Sequence, residues 1–258
     1  MSKEMPIYLI SLEKDIHRRE QLQKQFGDYY QKINLINATD GRLMEVELFK
    51  QYTKSYLEKY NKQMSPGELG CTLSHIDALK EFIASGSDVG LIIEDDIIGD
   101  EHTIKRLNSL DMSSINSNAV IICGGQQGSV RQKYIVGKPV KKNNALVEIP
   151  KMLFSNVVRT CCYTVTKESA KTIIASHKKC LQLADHWGEI LAQTDTKLYY
   201  IDLFEHPEIP LDSNIAGERT SVGNAKKRKV LTSITKELKR VYRRALVGYY
   251  KLLGYKSI

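Results

Sequence analysis

Asp88-Val89-Gly90-Leu91-Ile92-Ile93-Glu94-Asp95-Asp96 is the stretch on which the fold turns. Val89 to Ile93 is a short apolar run rich in β-branched residues, preceded by the turn-forming Ser85-Gly86-Ser87-Asp88. A run of that length and composition reads as a strand buried on both faces, the kind found inside an α/β sheet. It ends in three consecutive carboxylates, and in open α/β sheets the ends of the strands face the ligand crevice. Three close negative charges repel one another and lose hydration, so a positive partner is expected. Hard carboxylate oxygens suit Mg²⁺ or Mn²⁺. Side-chain alternation sends Glu94 and Asp96 to one side and Asp95 to the other, an Asp-X-Asp type of arrangement that holds a metal against a nucleotide diphosphate. The same triplet would also serve as a solvated loop start or a helix N-cap.

Working outward, Ile7-Tyr8-Leu9-Ile10-Ser11-Leu12 predicts a first strand, and Asp15 an N-cap for a helix reaching Phe26. This strand–turn–helix opening is typical of nucleotide-binding α/β domains, yet no Gly-X-Gly-X-X-Gly follows it. Arg18 and Arg19 sit near the helix start, placed either to reach a phosphate or base or to stay solvated. A second strand is expected over 32–37, closed by a turn at Ala38-Thr39-Asp40-Gly41-Arg42. Ser65-Pro66-Gly67-Glu68 is a capping box, with Pro66 at the first helical position. The helix after it carries Leu69, Leu73, Ile76, Leu79 and Ile83 as its inward stripe, with Ser74 and His75 near the middle. Further strands are expected over 118–123, 157–165 and 198–204. Asp185-His186-Trp187 opens a short helix, and Glu205-His206-Pro207 follows the last strand.

Charge is unevenly shared. The chain of 258 residues has a formal charge of +8, but residues 226–258 hold eleven Lys and Arg against the single acid Glu237. The remainder carries 27 bases and 29 acids, so it lacks the cationic surplus of a nucleic-acid groove. No nucleic-acid partner is expected. In the tail, Leu231, Ile234, Leu238, Val241, Ala245, Tyr249 and Leu252 recur at helical spacing between cations. That profile suits an amphipathic helix on an anionic membrane surface, and equally a helix docked on the body or on a partner. The expected organisation is a catalytic domain over 1–225 and a basic membrane-associating tail over 226–258. Five cysteines without metal-type spacing, and no leader-like N-terminus, predict a reducing cytoplasmic setting.

These residues together resemble glycosyltransferase family 25, the bacterial lipooligosaccharide galactosyltransferases and their relatives. The resemblance lies in Ile7–Leu12 with Arg18-Arg19, in Asp40-Gly41-Arg42, in Gly67-Glu68-Leu69-Gly70-Cys71 with Ser74-His75, and in Leu91–Asp96. Ser11 stands where many relatives carry Asn. The resemblance implies a GT-A type, Rossmann-like nucleotide-sugar-binding fold, a divalent metal (Mn²⁺ or Mg²⁺), a UDP-sugar donor and inversion at the anomeric carbon. UDP-galactose is the expected donor and UDP-glucose the alternative, with a lipooligosaccharide or lipopolysaccharide core acceptor. The expected setting is peripheral, on the cytoplasmic face of the bacterial inner membrane. On this reading Asp96 and Glu94 hold the metal, and His206 either completes its shell or is a plain loop histidine. Ser11, Leu12, Arg18, Arg19, Asp40, Gly41, Ser74, His75, Glu94 and Asp95 bind the donor. Asp185 is the expected general base beside Trp187, whose ring would stack an acceptor sugar; a helix N-cap is the other reading of Asp185. The rival classes are a non-catalytic nucleotide-fold protein that docks on membranes, and a metal-dependent phosphotransferase or nuclease. The latter lacks a phosphate-cradling Gly-Lys-Ser/Thr loop.

Overall fold

A computed structural model of the chain describes residues 5–207 and 229–258. Its centre is a mixed sheet in the order β2-β1-β3-β7-β4-β8-β6-β5-β9. The strands are β1 (Ile7–Ser11), β2 (Ile33–Asn37), β3 (Val89–Glu94), β4 (Ala119–Gly124), β5 (Val136–Val140), β6 (Asn143–Ile149), β7 (Cys162–Thr166), β8 (Lys197–Phe204) and β9 (Lys256–Ser257). β1 pairs in parallel with β2 and β3, while β7 runs antiparallel between β3 and β4, and β8 lies parallel to β4. The C-terminal ends of β1, β3, β4 and β8 therefore share one edge of the sheet with the N-terminal end of β7.

The apolar run ahead of the carboxylates behaves as its composition demands, with Gly90 to Ile93 buried. Side-chain alternation along these strands feeds two separate cores. Tyr8, Ile10, Ile92, Val120 and Tyr163 face one side, where α3 (Pro66–Ala84) and α5 (Lys167–Lys179) contribute Leu79, Phe82 and Ile173. Ile7, Leu9, Leu91, Ile93 and Ile121 face the other, covered by Leu22 and Phe26 of α1 (Ile16–Phe26) and by Ile104 and Leu107 of α4 (Glu101–Asn108). At roughly 1.5–3 kcal/mol for each large apolar side chain fully buried, these two layers carry most of the fold's stabilisation. A third cluster joins Tyr56 of α2 (Val46–Tyr60) to Leu69, Leu181 and Leu183.

Several expectations shift on contact with the structure. The capping box at Ser65 forms in both directions, Ser65 accepting from the Glu68 amide and Glu68 from the Ser65 amide. Asp15 holds the N-cap position of α1 without a side-chain capping bond. The strand expected over 157–165 begins only at Cys162, because residues 151–156 coil into a 3₁₀ turn and Arg159 takes a left-handed φ of 66°. Trp187 starts the short helix α6 (Trp187–Ile190) but is only 1 % exposed, and its indole N–H donates to the Arg159 carbonyl at 3.1 Å. It is a core residue and offers no ring to a sugar.

The C-terminal helix α7 spans Lys229–Leu252. Its far end is tied to the body. Val247 is buried, Leu246, Tyr250, Tyr255 and Ile258 pack on the same core, and β9 pairs with β5. The tail from Leu246 onward is thus a docked element, as the alternative reading had it. Leu238, Val241, Tyr242, Tyr249, Leu252 and Leu253 remain exposed. Among the described residues no helix is long and apolar enough to cross a membrane. Asp212, Ser213 and Asn214, which the sequence marks as a polar segment, lie outside the described residues, as does Leu231's side chain.

Candidate active site

A cleft of 330 Å³ opens at the shared strand edge, where crossing from parallel to antiparallel pairing leaves loops free to diverge. The floor comes from the end of β1 and the end of β3. Ser11, Leu12, Arg18, Asp40, Gly41, Ser74, His75, Glu94, Asp95, Asp96, Asp185 and His206 all line it. Of the residues expected at the site, Arg19 alone does not. Its guanidinium instead donates to Ser11 Oγ at 2.8 Å, the Leu12 carbonyl at 2.5 Å and the Glu13 carbonyl at 2.9 Å. Arg19 holds the loop after β1 in shape and reaches no ligand space.

One wall depends on two glycines. A Cβ at Gly41 would sit 2.0 Å from the Pro66 carbonyl oxygen, and one at Gly70 would sit 2.3 Å from that of Thr39. The Asp40 turn and the first turns of α3 therefore interlock backbone to backbone, which no larger residue permits. Ser74 seals the junction by accepting from the Thr39 amide at 2.8 Å. Asp40 accepts both from Arg42 Nε at 2.6 Å and from Lys14 Nζ at 3.3 Å, and the Arg42 bonds, outweighing burial, hold its pKa below the ordinary value.

Each member of the acidic triplet has its own partner. Strand alternation ceases at Glu94, since Asp95 and Asp96 lie in a turn. Glu94 Oε1 meets His75 Nε2 at 3.1 Å and accepts from Thr160 Oγ1 at 2.7 Å. A carboxylate can only accept, so Nε2 of His75 carries the proton and Nδ1 accepts from the Tyr163 hydroxyl at 3.0 Å. Burial pushes the Tyr163 pKa well above the ordinary tyrosine value, so its hydroxyl keeps the proton it donates. His75 is thus a bracket for Glu94.

Asp95 pairs with Arg18 at 3.0 Å, and its burial raises its pKa even against that cation. Asp96 lies 3.4 Å from His206. Burial alone would raise the Asp96 pKa, but the hydrogen bond and charge of His206, with Arg18 behind, bring it below the usual value. Burial likewise opposes, and Asp96 overcomes, so that the His206 pKa stands above the ordinary imidazole value. Asp96 Oδ1 is buried with no hydrogen-bond partner among the described residues. An acceptor left bare in so polar a place marks room for a ligand.

Across the cleft, Asp185 Oδ2 accepts from the Arg159 amide at 3.4 Å. His186 holds the N-cap position of α6, so Asp185 lies before the helix and does not cap it. Arg159 and Thr160 escaped the sequence reading because they fell inside an expected strand. Arg159 is the hinge of this wall, with its side chain donating to the carbonyls of Gly125 at 2.6 Å and Gln127 at 2.8 Å. Non-glycine residues held at positive φ concentrate at functional sites. Nothing in residue type announces such a φ.

Cys71, His75 and Glu94 bring one ligand atom each to within 4.8 Å of one another, a second grouping with the spacing of a metal site. Chemistry argues against it. Both nitrogens of His75 are already engaged, and burial holds the Cys71 thiol well above its ordinary pKa, in the protonated form that binds metal poorly.

An α/β chain with a half-buried carboxylate cluster at the carboxyl edge of parallel strands has the build of a nucleotide-handling enzyme. More specifically, the chain belongs to glycosyltransferase family 25, whose model, described as an LPS biosynthesis protein, matches residues 4–187. It is 26 % identical over 249 residues to a putative glycosyltransferase of Haemophilus influenzae, covering 91 % of this chain and 84 % of that one. It is 24 % identical over 195 residues to procollagen galactosyltransferase 2 of Mus musculus, covering 72 % of this chain but 28 % of the mouse protein. This chain therefore corresponds to less than a third of that relative. A solved glycosyltransferase involved in glycosylation of the major capsid of PBCV-1 aligns with 84 % of this chain and 97 % of its own at 10 % identity, with a TM-score of 0.36.

Proposed function

We propose that the cleft transfers a hexose, galactose from UDP-galactose in the first instance, onto a sugar of a lipooligosaccharide or lipopolysaccharide core, with inversion. The sheet would then be a GT-A type scaffold and Mn²⁺ or Mg²⁺ the resident ion. The observation that carries this reading is the bare, buried Asp96 Oδ1 next to His206 and Glu94, in a chain of family 25. Two carboxylates are a suitable hard donor set for Mn²⁺, and His206, whose nitrogens now meet the Pro207 carbonyl and Asp96, would join them only by giving up its proton and its Asp96 contact. When bound, the ion would neutralise charge developing on the departing diphosphate. Galactose is favoured over glucose by the galactosyltransferase name that the mouse relative carries.

The chain's own residues supply the rest. His75 and Thr160 fix the Glu94 carboxylate, so the ion site would need little rearrangement. Arg18, held by Asp95, keeps a cation at the floor against a nucleotide's negative charge. Asp40, Gly41, Ser74, Ser11 and Leu12 shape the wall for the nucleoside. Asp185 faces the cleft from the opposite side and would take the proton of the acceptor hydroxyl as it attacks the anomeric carbon, while UDP leaves on the other face. Its amide partner on Arg159 orients it.

The exposed side of α7 supports contact with an anionic membrane. Leu238, Val241, Tyr242, Tyr249, Leu252 and Leu253 are exposed beside the cations Lys239, Arg240, Arg244 and Lys251. Each cation near such a surface contributes about 1 kcal/mol. Because the end of the helix is built into the sheet, Leu252→Ser with Leu253→Ser is a cleaner probe than truncation. Sedimentation with anionic vesicles should fall for that variant, and undiminished binding would remove α7 from the membrane.

The enzymatic reading is tested by UDP release from a panel of UDP-sugars with Mn²⁺ present and after chelation. Metal-dependent release from UDP-galactose above that from UDP-glucose is expected. No release from any member would favour a non-catalytic protein, a fate met in this family, where one Mus musculus member is named inactive.

A further inference from the structure

A second cavity of 540 Å³ adjoins the first and shares Glu68, Arg159, Leu183 and Asp185 with it. The two spaces therefore meet at the carboxylate proposed to take the acceptor's proton. Their linings differ in charge. The first is rich in carboxylates, whereas the residues that line only the second include Lys62 and Arg131 and no acid.

Three further features distinguish this cavity from a chance surface hollow. Arg131 is half-buried and anchored by a 2.9 Å bond to the Ser155 carbonyl, which fixes the guanidinium without neutralising it. Burial lowers its pKa, and the neighbouring Arg243 lowers it further, with Asp185 the only opposing charge of note. Arg243 reaches this corner because α7 packs against β5 and the Gln132–Tyr134 turn. Finally, His186 Nδ1 is buried at the cavity with no hydrogen-bond partner among the described residues. Burial also lowers the His186 pKa, with Asp185 and Glu189 opposing and the charges of Arg131 and Lys62 adding to it. Glu68 contributes its charge from the shared wall, but its carboxylate is turned to the Ser65 amide in the capping box.

We infer that this cavity is the acceptor subsite and that it selects a saccharide bearing an anionic group, a carboxylate or a phosphate, seated between Arg131 and Lys62. The inference rests on the transferase reading of the adjoining cleft, and it names the acceptor's chemical class. An anion here would meet two cations that make no ion pair among the described residues and give the bare imidazole nitrogen a polar neighbour. It would also place the reacting hydroxyl at the shared wall, beside Asp185. A neutral sugar would bring no charge to the two cations that line this cavity.

The test uses the full-length protein with UDP and Mg²⁺, the diamagnetic ion being suited to saturation-transfer NMR. The probes are glucose, glucuronate and glucose 6-phosphate, with the galactose series in parallel. At least one charged sugar should bind about tenfold more tightly than its neutral parent, a single charge-assisted contact being enough for that. Comparison of the carboxylate and phosphate arms identifies the group. Arg131→Gln and, separately, Lys62→Gln should remove most of that preference while UDP affinity stays within about twofold. Lys62 is exposed, so its replacement does not endanger folding. The proposal is overturned if charged and neutral sugars bind alike, if no charged sugar binds a protein that binds UDP, or if the preference survives both substitutions. A wild type that prefers charged sugars yet ignores UDP would instead sink the transferase reading and leave the cavity an anionic-saccharide site.

Discussion

The two cavities of this protein share a wall and differ in sign. The first is lined by seven carboxylates (Asp15, Asp40, Glu68, Glu94, Asp95, Asp96 and Asp185) and three arginines (Arg18, Arg42 and Arg159). The second adds Lys62 and Arg131 to the shared residues and adds no acid. Anionic cavities hold cations, and cationic ones hold anions, so the pair can be understood as complementary stations along one reaction path. On the proposed reading a metal and a nucleotide diphosphate would occupy the first, and an acidic acceptor the second. The comparison shows where fold ends and chemistry begins, because the first cavity grows from strand ends while the second grows from loops between Gly128 and Arg131 and around His186.

The comparison can be broken most severely at Asp96. Asp96→Ala should lower transfer by about a thousandfold or more, the scale of losing a principal electrostatic element. Chelation of the wild type should imitate it. A variant retaining a tenth of wild-type activity would show that the negative cleft serves something other than a metal.

Asp185, on the shared wall, should behave differently. Asp185→Asn is expected to cost transfer on the order of a hundred- to a thousandfold while UDP binds as before, since a general base acts on the acceptor alone. If UDP affinity drops together with transfer, the residue belongs to the donor side and the division between cavities fails.

A smaller effect concerns the loop that carries this wall. His177 of α5 is buried, its pKa lowered to about 4 chiefly by that burial, and its Nδ1 accepts from the Gln182 amide at 3.3 Å. The folded state keeps this ring neutral, so the unfolded chain binds the extra proton between the two pKa values. Stability is therefore whole above about pH 6.5 and is lost as the pH falls toward 4, by about 3 kcal/mol. Urea midpoints at pH 7 and pH 4 should separate wild type from His177→Gln by that margin, the variant being less acid-sensitive. Equal acid sensitivity would mean that His177 does not pin the loop leading to Asp185.

Legibility in the sequence followed the same division. Strands and helix starts were readable where local chemistry is decisive, as at Val89–Ile93 and in the Ser65 capping box. The carboxylates after β3 could be placed at a ligand crevice from their position at a strand end, whereas the turn at Asp40-Gly41 joined them only through the family resemblance, and parallel pairing of β2, β1 and β3 brings the two together. What stayed hidden depended on tertiary context. Arg159 and Thr160 lay inside an apparent strand, since a left-handed φ at an arginine leaves no trace in composition. Trp187 looked available to a sugar because burial of a lone tryptophan is decided by what surrounds it, here Tyr163 in edge contact at 5.2 Å. Arg19 was grouped with Arg18 by adjacency, though neighbouring helix positions point about 100° apart and only Arg18 turns to the cleft. The docked end of α7 was masked by the strong amphipathic pattern of the rest, which does not reveal what covers the apolar side.

The transferase reading of the first cleft depends on a divalent ion gripping UDP at the end of β3. The most direct measurement is UDP affinity by calorimetry in the presence of Mn²⁺ and of chelator, for wild type and for Asp96→Ala. Tight binding only by the wild type, and only with Mn²⁺, is the predicted result. UDP bound equally well without metal, or by the variant, would contradict the account at its root.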